Sequence, residues 1–177
     1  TEEQFVALVQ GLHLPAPERM HETLPANRHS GLRHDAAAAG LQAQERSAQG
    51  YAGDVSPSLA WQWVQSGQAV LVDVRTDAER AWVGEVPGAV AVAWKQWPGM
   101  VLNPQFEAQI QAAVPPGRKA LLLCRSGVRS IAAAQRATAL GLEAWNVLEG
   151  FEGDPDEHAH RGRLGGWRFH GLPWRQG

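Results

Sequence analysis

The sequence is poor in cysteine, since its 177 residues include only Cys124. One cysteine excludes an intramolecular disulfide framework, so we expect a reducing compartment and assign the chain to the cytoplasm. No apolar run approaches the ~20 residues that cross a bilayer, and the chain starts with acidic and polar residues. We therefore expect no membrane association and no secretory signal.

An excess of charge of either sign is also missing. Sixteen Lys and Arg residues face eighteen Asp and Glu residues, and the formal net charge is -2. Nucleic-acid binding needs a basic patch or stripe, and none stands out, so we expect no nucleic-acid partner. Hydrophobic residues make up 44% of the chain, which is enough for a packed core and fits one domain with some length to spare.

Short apolar runs alternate with helix-start signals from Tyr51 onward. The predicted strands are Ala69–Asp73, Val90–Val92, Ala120–Cys124 and Ala144–Leu148. The predicted helices start after the N-cap Ser56, after the capping box Thr76-Asp77-Ala78-Glu79, at Asn103-Pro104 and at Val128, and the last one ends before Gly141. This alternation predicts an α/β domain with a mainly parallel sheet of about five strands, flanked by helices.

The ends of the chain are less regular. Residues 1–50 open with a helical pattern in which Phe5, Leu8, Val9 and Leu12 share one face. We assign residues 1–50 to an N-terminal helical or irregular extension or linker, and residues 51–177 to the main domain. From about residue 151 that domain continues as an irregular tail.

The chemistry concentrates where the predicted strand stops at Cys124 and a glycine-containing loop leads directly into a helix. Such a junction directs backbone N–H groups and the positive end of a helix dipole at one spot. With Arg125 and Arg129 nearby, these features favour the thiolate and could bind a small oxyanion. A lone cysteine at the end of an apolar strand is more often a small buried hydrophobic residue. Two arginines and a glycine within five residues favour the reactive role.

Three motifs support a family resemblance over residues 51–150: Leu71–Arg75, Gly84–Ala89 and Cys124–Ser130. In these motifs the sequence resembles a rhodanese-type sulfurtransferase and implies the rhodanese-like fold. It departs from the pattern at Glu85-Val86, where many members have His-Ile. That departure should alter a surface turn rather than the chemistry.

The resemblance implies that Cys124 accepts sulfane sulfur from thiosulfate, or from glutathione persulfide, as a persulfide. A thiol such as glutathione, or cyanide or sulfite, would then take the sulfur. The implied substrate-binding loop consists of Arg125, Ser126, Gly127, Val128, Arg129 and Ser130. Asp73 and Arg75 are the implied supporting residues beside the loop, and a purely structural ion pair is the equal alternative. We expect neither a metal nor another cofactor.

Two other functions remain open. Phosphatases and arsenate reductases of similar fold have Cys and Arg six positions apart, whereas Cys124 and Arg129 are five apart. The shorter loop suits sulfur better than a tetrahedral phosphate. A non-catalytic sensor or docking module is the second alternative, although such modules commonly lose the cysteine.

Residues 11–27 resemble the C-terminal end of persulfide dioxygenases, some of which are fused to a rhodanese. A persulfide dioxygenase, fused or separate, is therefore an expected partner. The chain lacks that enzyme's His-x-His-x-Asp-His motif, so it is not expected to be a dioxygenase itself. In the tail, the acids and histidines of residues 150–160 favour a solvated loop over a metal site. Trp167 and Trp174 are expected to fasten the tail, and Trp94 and Trp97 are candidates for a pocket wall.

Overall fold

The computed structural model describes residues 50–177, and a sheet of five parallel strands lies at the centre of this part. The strands in chain order are β1 (Gly53–Val55), β2 (Ala69–Asp73), β3 (Val90–Ala91), β4 (Lys95–Gln96), β5 (Val101–Leu102), β6 (Lys119–Leu123) and β7 (Ala144–Val147). The central sheet has the order β1-β7-β6-β2-β3, whereas β4 and β5 form a separate antiparallel pair. The predicted α/β class with a parallel sheet is confirmed.

Within residues 50–177, four helices connect the strands, and most begin at the predicted signals. They are α1 (Pro57–Gln65), α2 (Asp77–Val83), α3 (Phe106–Ala113) and α4 (Arg129–Ala139). The Ser56 hydroxyl accepts the Leu59 N–H at 3.3 Å, and Thr76 and Glu79 form the reciprocal capping box. Gly141 follows α4 with φ 89°, a left-handed conformation that suits glycine.

One local prediction was wrong, and one strand was missed. The third helix begins at Phe106 rather than at Asn103-Pro104, because the Asn103 side chain accepts the Gln105 N–H at 3.0 Å and forms a turn first. Strand β1 was not predicted at all. It is only three residues long and starts with a glycine, which gives almost no periodicity to detect.

The core forms on both faces of the sheet because neighbouring residues of a strand point to opposite faces. On β6, Leu122 belongs to a cluster with Phe106 and Ile110 of α3 and the alanines of α4. Leu121 and Leu123 belong to a second cluster, which includes Ala60 of α1, Trp145 and Trp167. Helices on both faces therefore cover the parallel strands, as parallel sheets require.

The irregular tail after Gly150 packs onto the second cluster. Trp167 is fully buried and meets Trp61 edge to face at 5.8 Å. Further along, Arg175 pairs with Glu85 through backbone hydrogen bonds of 2.8 and 2.9 Å. The tail is thus part of the folded body, and Trp167 fastens it as expected.

Several predictions lie outside the described residues: the helix with Phe5, Leu8, Val9 and Leu12, the Ala- and Gln-rich segment 35–49, and the resemblance of residues 11–27 to a persulfide dioxygenase. Within residues 50–177, no helix is long and apolar enough to span a membrane.

Candidate active site

The cysteine loop lies at the carboxyl edge of the sheet. Strand β6 ends at Leu123 and helix α4 begins at Arg129, so residues 124–128 form the connection. The neighbouring strand β2 ends beside it at Asp73, which is paired with Leu123. This edge is where open α/β sheets carry their ligand sites.

The Cys124 sulfur is buried and held by the loop and the helix. Only 1% of Cys124 is exposed. The Gly127 N–H donates to Sγ at 3.2 Å, and the Ser130 hydroxyl lies 3.1 Å from Sγ. Gly127 has φ 85° and packs close to the backbone of residues 147–149, which explains the glycine at this position. The Gly127 N–H stabilises the anionic form of the sulfur, and the Ser130 hydroxyl adds to this when its hydrogen points to Sγ.

The sulfur lies at the bottom of an open cavity of about 580 Å³. The lining residues are Thr76, Ala78, Glu79, Trp82, Val83, Trp97, Met100, Cys124, Arg125, Ser126, Val128 and Arg129. Trp82, Trp97 and Val128 are 69%, 60% and 69% exposed, so the mouth of the cavity is largely apolar. Its volume matches that of small-molecule sites in proteins.

Arg129 does not stand alone in this cavity. Its guanidinium makes a two-point ion pair with the Glu79 carboxylate, in which Nη1 and Oε2 are 2.9 Å apart and Nη2 contacts Oε1. Burial alone would raise the pKa of Glu79, but the hydrogen bonds from Arg129 and Thr76 and the Arg129 charge lower it to about 2. The positive charge expected from Arg129 is therefore balanced by a carboxylate.

Arg125 is the cavity-lining guanidinium that has no ion pair among residues 50–177. The N–H groups of Arg125, Ser126 and Val128 likewise have no backbone acceptor in this part of the chain. They leave the loop with donors for a bound anion, as the loop geometry predicts.

Asp73 and Arg75 form a buried ion pair with a shortest N–O distance of 2.6 Å. Neither lines the cavity. Arg75 donates to the Gly84 carbonyl at 2.8 Å and its guanidinium stacks 3.9 Å from the Phe151 ring centre. Because the Phe151 N–H donates to the Cys124 carbonyl at 2.8 Å, Arg75 contacts the loop indirectly, through Phe151.

The two tryptophans that were candidates for the pocket wall have different surroundings in the structure. Trp97 lines the cavity, whereas Trp94 packs edge to face on Phe106 in the core. Trp174 packs against Phe151, which fits its expected role in fastening the tail. In the acidic segment, the Asp156 carboxylate accepts the N–H groups of His158 and His160 and closes a loop.

Sequence reasoning missed several residues of this site. Glu79 was identified as part of a capping box, but its partner Arg129 lies 50 positions away. Trp82 gave no signal beyond its place in a short helix. Asn146, 2.6 Å from Ser130, was hidden in an apolar strand; a polar residue there is the signal that could have found it.

Comparisons with known proteins agree with the motifs. The family model for the rhodanese-like domain matches residues 56–154. The crystal structure of Rv0390 from M. tuberculosis is 45% identical, with a TM-score of 0.67, and the match covers 72% of this chain and 99% of that chain. The uncharacterized protein RC0915 of Rickettsia conorii is 33% identical over 117 residues, which cover 63% of this chain and 87% of that protein.

A more distant structure, the full-length protein from Lactobacillus plantarum, shares the fold at 16% identity. Its TM-score is 0.50, and the match covers 70% of this chain and 87% of that chain. The sheet order, the cysteine loop and the matching family model lead to one conclusion: the chain belongs to the rhodanese-like domain family.

Proposed function

We propose that this protein is a sulfurtransferase that carries sulfane sulfur on Cys124, from thiosulfate or glutathione persulfide to a thiol, cyanide or sulfite. The observation that carries the proposal is the buried Cys124 sulfur at the base of an open cavity, in contact with the Gly127 N–H and the Ser130 hydroxyl. A nucleophile and an array of anion donors in one loop are the parts that group transfer needs.

In the first step, the Cys124 thiolate attacks the outer sulfur of thiosulfate. A bond forms between Sγ and that sulfur, the sulfur–sulfur bond of thiosulfate breaks, and its electron pair leaves with sulfite. Arg125, which has no ion pair within residues 50–177, and the loop N–H groups would hold the anion. The balanced Arg129–Glu79 pair is expected to shape the cavity wall rather than to add net charge.

In the second step, an acceptor thiolate attacks the outer sulfur of the Cys124 persulfide. The new bond joins the acceptor to that sulfur, and Sγ leaves as a thiolate. No second cysteine is present in the 177 residues, so a thiol acceptor must come from outside this sequence. A cavity of about 580 Å³ leaves room for an organic thiol. A persulfide dioxygenase is the proposed partner that would share glutathione persulfide with this site.

Intact-mass spectrometry after thiosulfate treatment tests the proposal. The wild-type chain should gain the mass of one sulfur atom, and added glutathione should remove it. The variant Cys124→Ser should fold and gain no sulfur, because a serine hydroxyl without a base is a poor nucleophile. A folded wild type that takes no sulfur from thiosulfate or glutathione persulfide would favour the non-catalytic docking module instead.

A further inference from the structure

A chain of polar side chains runs from the active sulfur into the body of the protein. The Ser130 hydroxyl lies 3.1 Å from Cys124 Sγ and 2.6 Å from Asn146 Oδ1. Asn146 Nδ2 donates to the Asp54 carboxylate at 2.9 Å, and the same carboxylate oxygen accepts from the Tyr51 hydroxyl at 3.0 Å. Ser130 and Asn146 are 0% and 2% exposed, so bulk water does not compete at this end.

The number of hydrogens in this hydrogen-bonded series determines which groups Ser130 can stabilise. The Ser130 hydroxyl has one hydrogen, and when Cys124 is ionised both of its neighbours, Sγ and Asn146 Oδ1, are acceptors. Asn146 cannot turn its amide to relieve the competition, because the Asp54 carboxylate only accepts and therefore holds Nδ2 on its own side. The thiolate and Asn146 thus compete for one hydrogen.

We propose that Asn146, oriented by Asp54, is a positioning residue that competes with the Cys124 thiolate for the hydrogen of Ser130. This competition limits how far Ser130 stabilises the negative charge on Sγ. The consequence for sulfur transfer rests on the function proposed above, whereas the competition itself exists in the free protein.

The competition gives Ser130 two positions in the transfer cycle. When Sγ carries the transferred sulfur, Sγ is no longer anionic. The Ser130 hydroxyl then donates its hydrogen bond to Asn146 Oδ1. When the acceptor removes the sulfur, charge returns to Sγ and the hydroxyl turns towards it. Ser130 then stabilises the leaving thiolate. When the next sulfur binds to Sγ, the Ser130 hydroxyl again donates its hydrogen bond to Asn146.

Other charged groups also surround the sulfur. They are Arg125 in the loop, Arg129 of α4 paired with Glu79 of α2, and Asp73 at the end of β2. Tyr51 and Asp54 lie at the end of this hydrogen-bonded series that is farthest from the sulfur. The first four groups make no hydrogen bond to Ser130 or Asn146 in the described part of the chain, so their effects should be similar in variants at these two positions. Asp54 loses the Asn146 Nδ2 donor in Asn146→Leu, and the Ser130→Ala background separates that effect from the competition.

The test measures the thiolate absorbance of Cys124, corrected with Cys124→Ser, at a fixed pH where the wild type is partly ionised. Ser130→Ala should reduce the ratio of thiolate to thiol by about tenfold, since one hydrogen bond to a charged group is lost. Asn146→Leu, which is similar in size, should increase that ratio several-fold. Ser130→Ala and Asn146→Leu should therefore change the ratio of thiolate to thiol in opposite directions. A hydrogen-bond network with only a structural role would not produce this difference.

A double-mutant cycle makes the test sharper. In the Ser130→Ala background, Asn146→Leu should have no effect, because no shared hydrogen is left. Tyr51→Phe is the matched control: it removes a hydrogen bond of the same chain without changing the hydrogen count at Asn146, so the ratio should not move. Should Asn146→Leu fail to fold, Asp54→Asn replaces it, since the introduced amide can donate to Asn146 Oδ1 and let Asn146 turn its Nδ2 to Ser130.

The proposal is overturned if folded Asn146→Leu leaves the ratio unchanged or lowers it. It is also overturned if the effect of Asn146→Leu, or of its substitute Asp54→Asn, persists without the Ser130 hydroxyl. These measurements need no substrate. A chain that shows the competition but gains no sulfur mass from thiosulfate would therefore contradict only the proposed function.

Discussion

At the scale of single residues, the pair Glu79–Arg129 links helix α2 to the first residue of helix α4, directly after the cysteine loop. The pKa of Glu79 is about 2 in the folded chain and 4.5 ordinarily. A carboxyl group with a lowered folded pKa stabilises the fold above its unfolded pKa and loses that contribution as the pH falls. Glu79 should therefore stabilise the fold above pH 4.5 by about 1–3 kcal/mol, and this contribution should be lost as the pH falls from 4.5 through about 2.

Urea unfolding of the wild type and Glu79→Gln at several pH values checks this. The free energies of unfolding should differ at about pH 6, and the difference should shrink below pH 4.5 and vanish only below about pH 2. Glu107→Gln is the control, because its pair with Arg136 is about half exposed and should contribute less than about 1 kcal/mol. A difference between wild type and Glu79→Gln that stays constant with pH would contradict the prediction.

The cysteine loop itself was predictable, because Cys124, Gly127 and the strand-to-helix change lie within a few residues of one another. The ion pair of Glu79 with Arg129 was not, since it joins positions 50 apart. Local sequence specifies a turn or a cap, whereas a contact between two elements depends on how the sheet brings their ends together.

At the scale of elements, Gly150 follows strand β7 and packs against the cysteine loop after β6. Its φ is +62°, and a Cβ there would lie 2.5 Å from the Cys124 carbonyl oxygen and 2.6 Å from the Ser126 nitrogen. Gly150→Ala should therefore displace the cysteine loop, lower stability by more than about 2 kcal/mol and reduce turnover by roughly tenfold or more.

Gly171→Ala is a matched control for this effect. Gly171 has φ +65°, and a Cβ there would meet nothing within 4 Å. Gly171→Ala should lower the stability only by the backbone strain, about 1–2 kcal/mol, and should leave turnover unchanged. Denaturant unfolding and steady-state kinetics on both variants give the comparison, and equal turnover in the two would show that the loop tolerates the contact.

The helices and the longer strands were also predictable at this scale. Ser56-Pro57 and the Thr76–Glu79 box are local signals, and each fixed the start of a helix. Strand β1 has only three residues and owes its place to pairing with β7, from Gly53 with Trp145 to Val55 with Val147. Pairing between such distant positions leaves no local pattern to detect.

At the scale of the whole molecule, the described part contains the sheet, the core clusters and the cysteine cavity on which the proposed reaction is based. The parallel sheet, both core clusters and the cavity are built from residues within 51–175. We therefore expect a chain that begins at Gly50 to fold and to transfer sulfur at a rate close to that of the full chain. Steady-state kinetics with thiosulfate, together with light scattering for self-association, measures this.

A chain shortened at the other end is the control for that truncation. Removing residues 165–177 deletes far fewer residues, yet it takes away Trp167, which is fully buried beside Trp61. Loss of a buried tryptophan alone costs about 3–5 kcal/mol, so this shorter chain should unfold. If instead the chain from Gly50 stays folded and loses more than about tenfold in turnover, ~1.4 kcal/mol of transition-state stabilisation, residues 1–49 belong to the active site. The domain boundary near residue 50 would then be wrong.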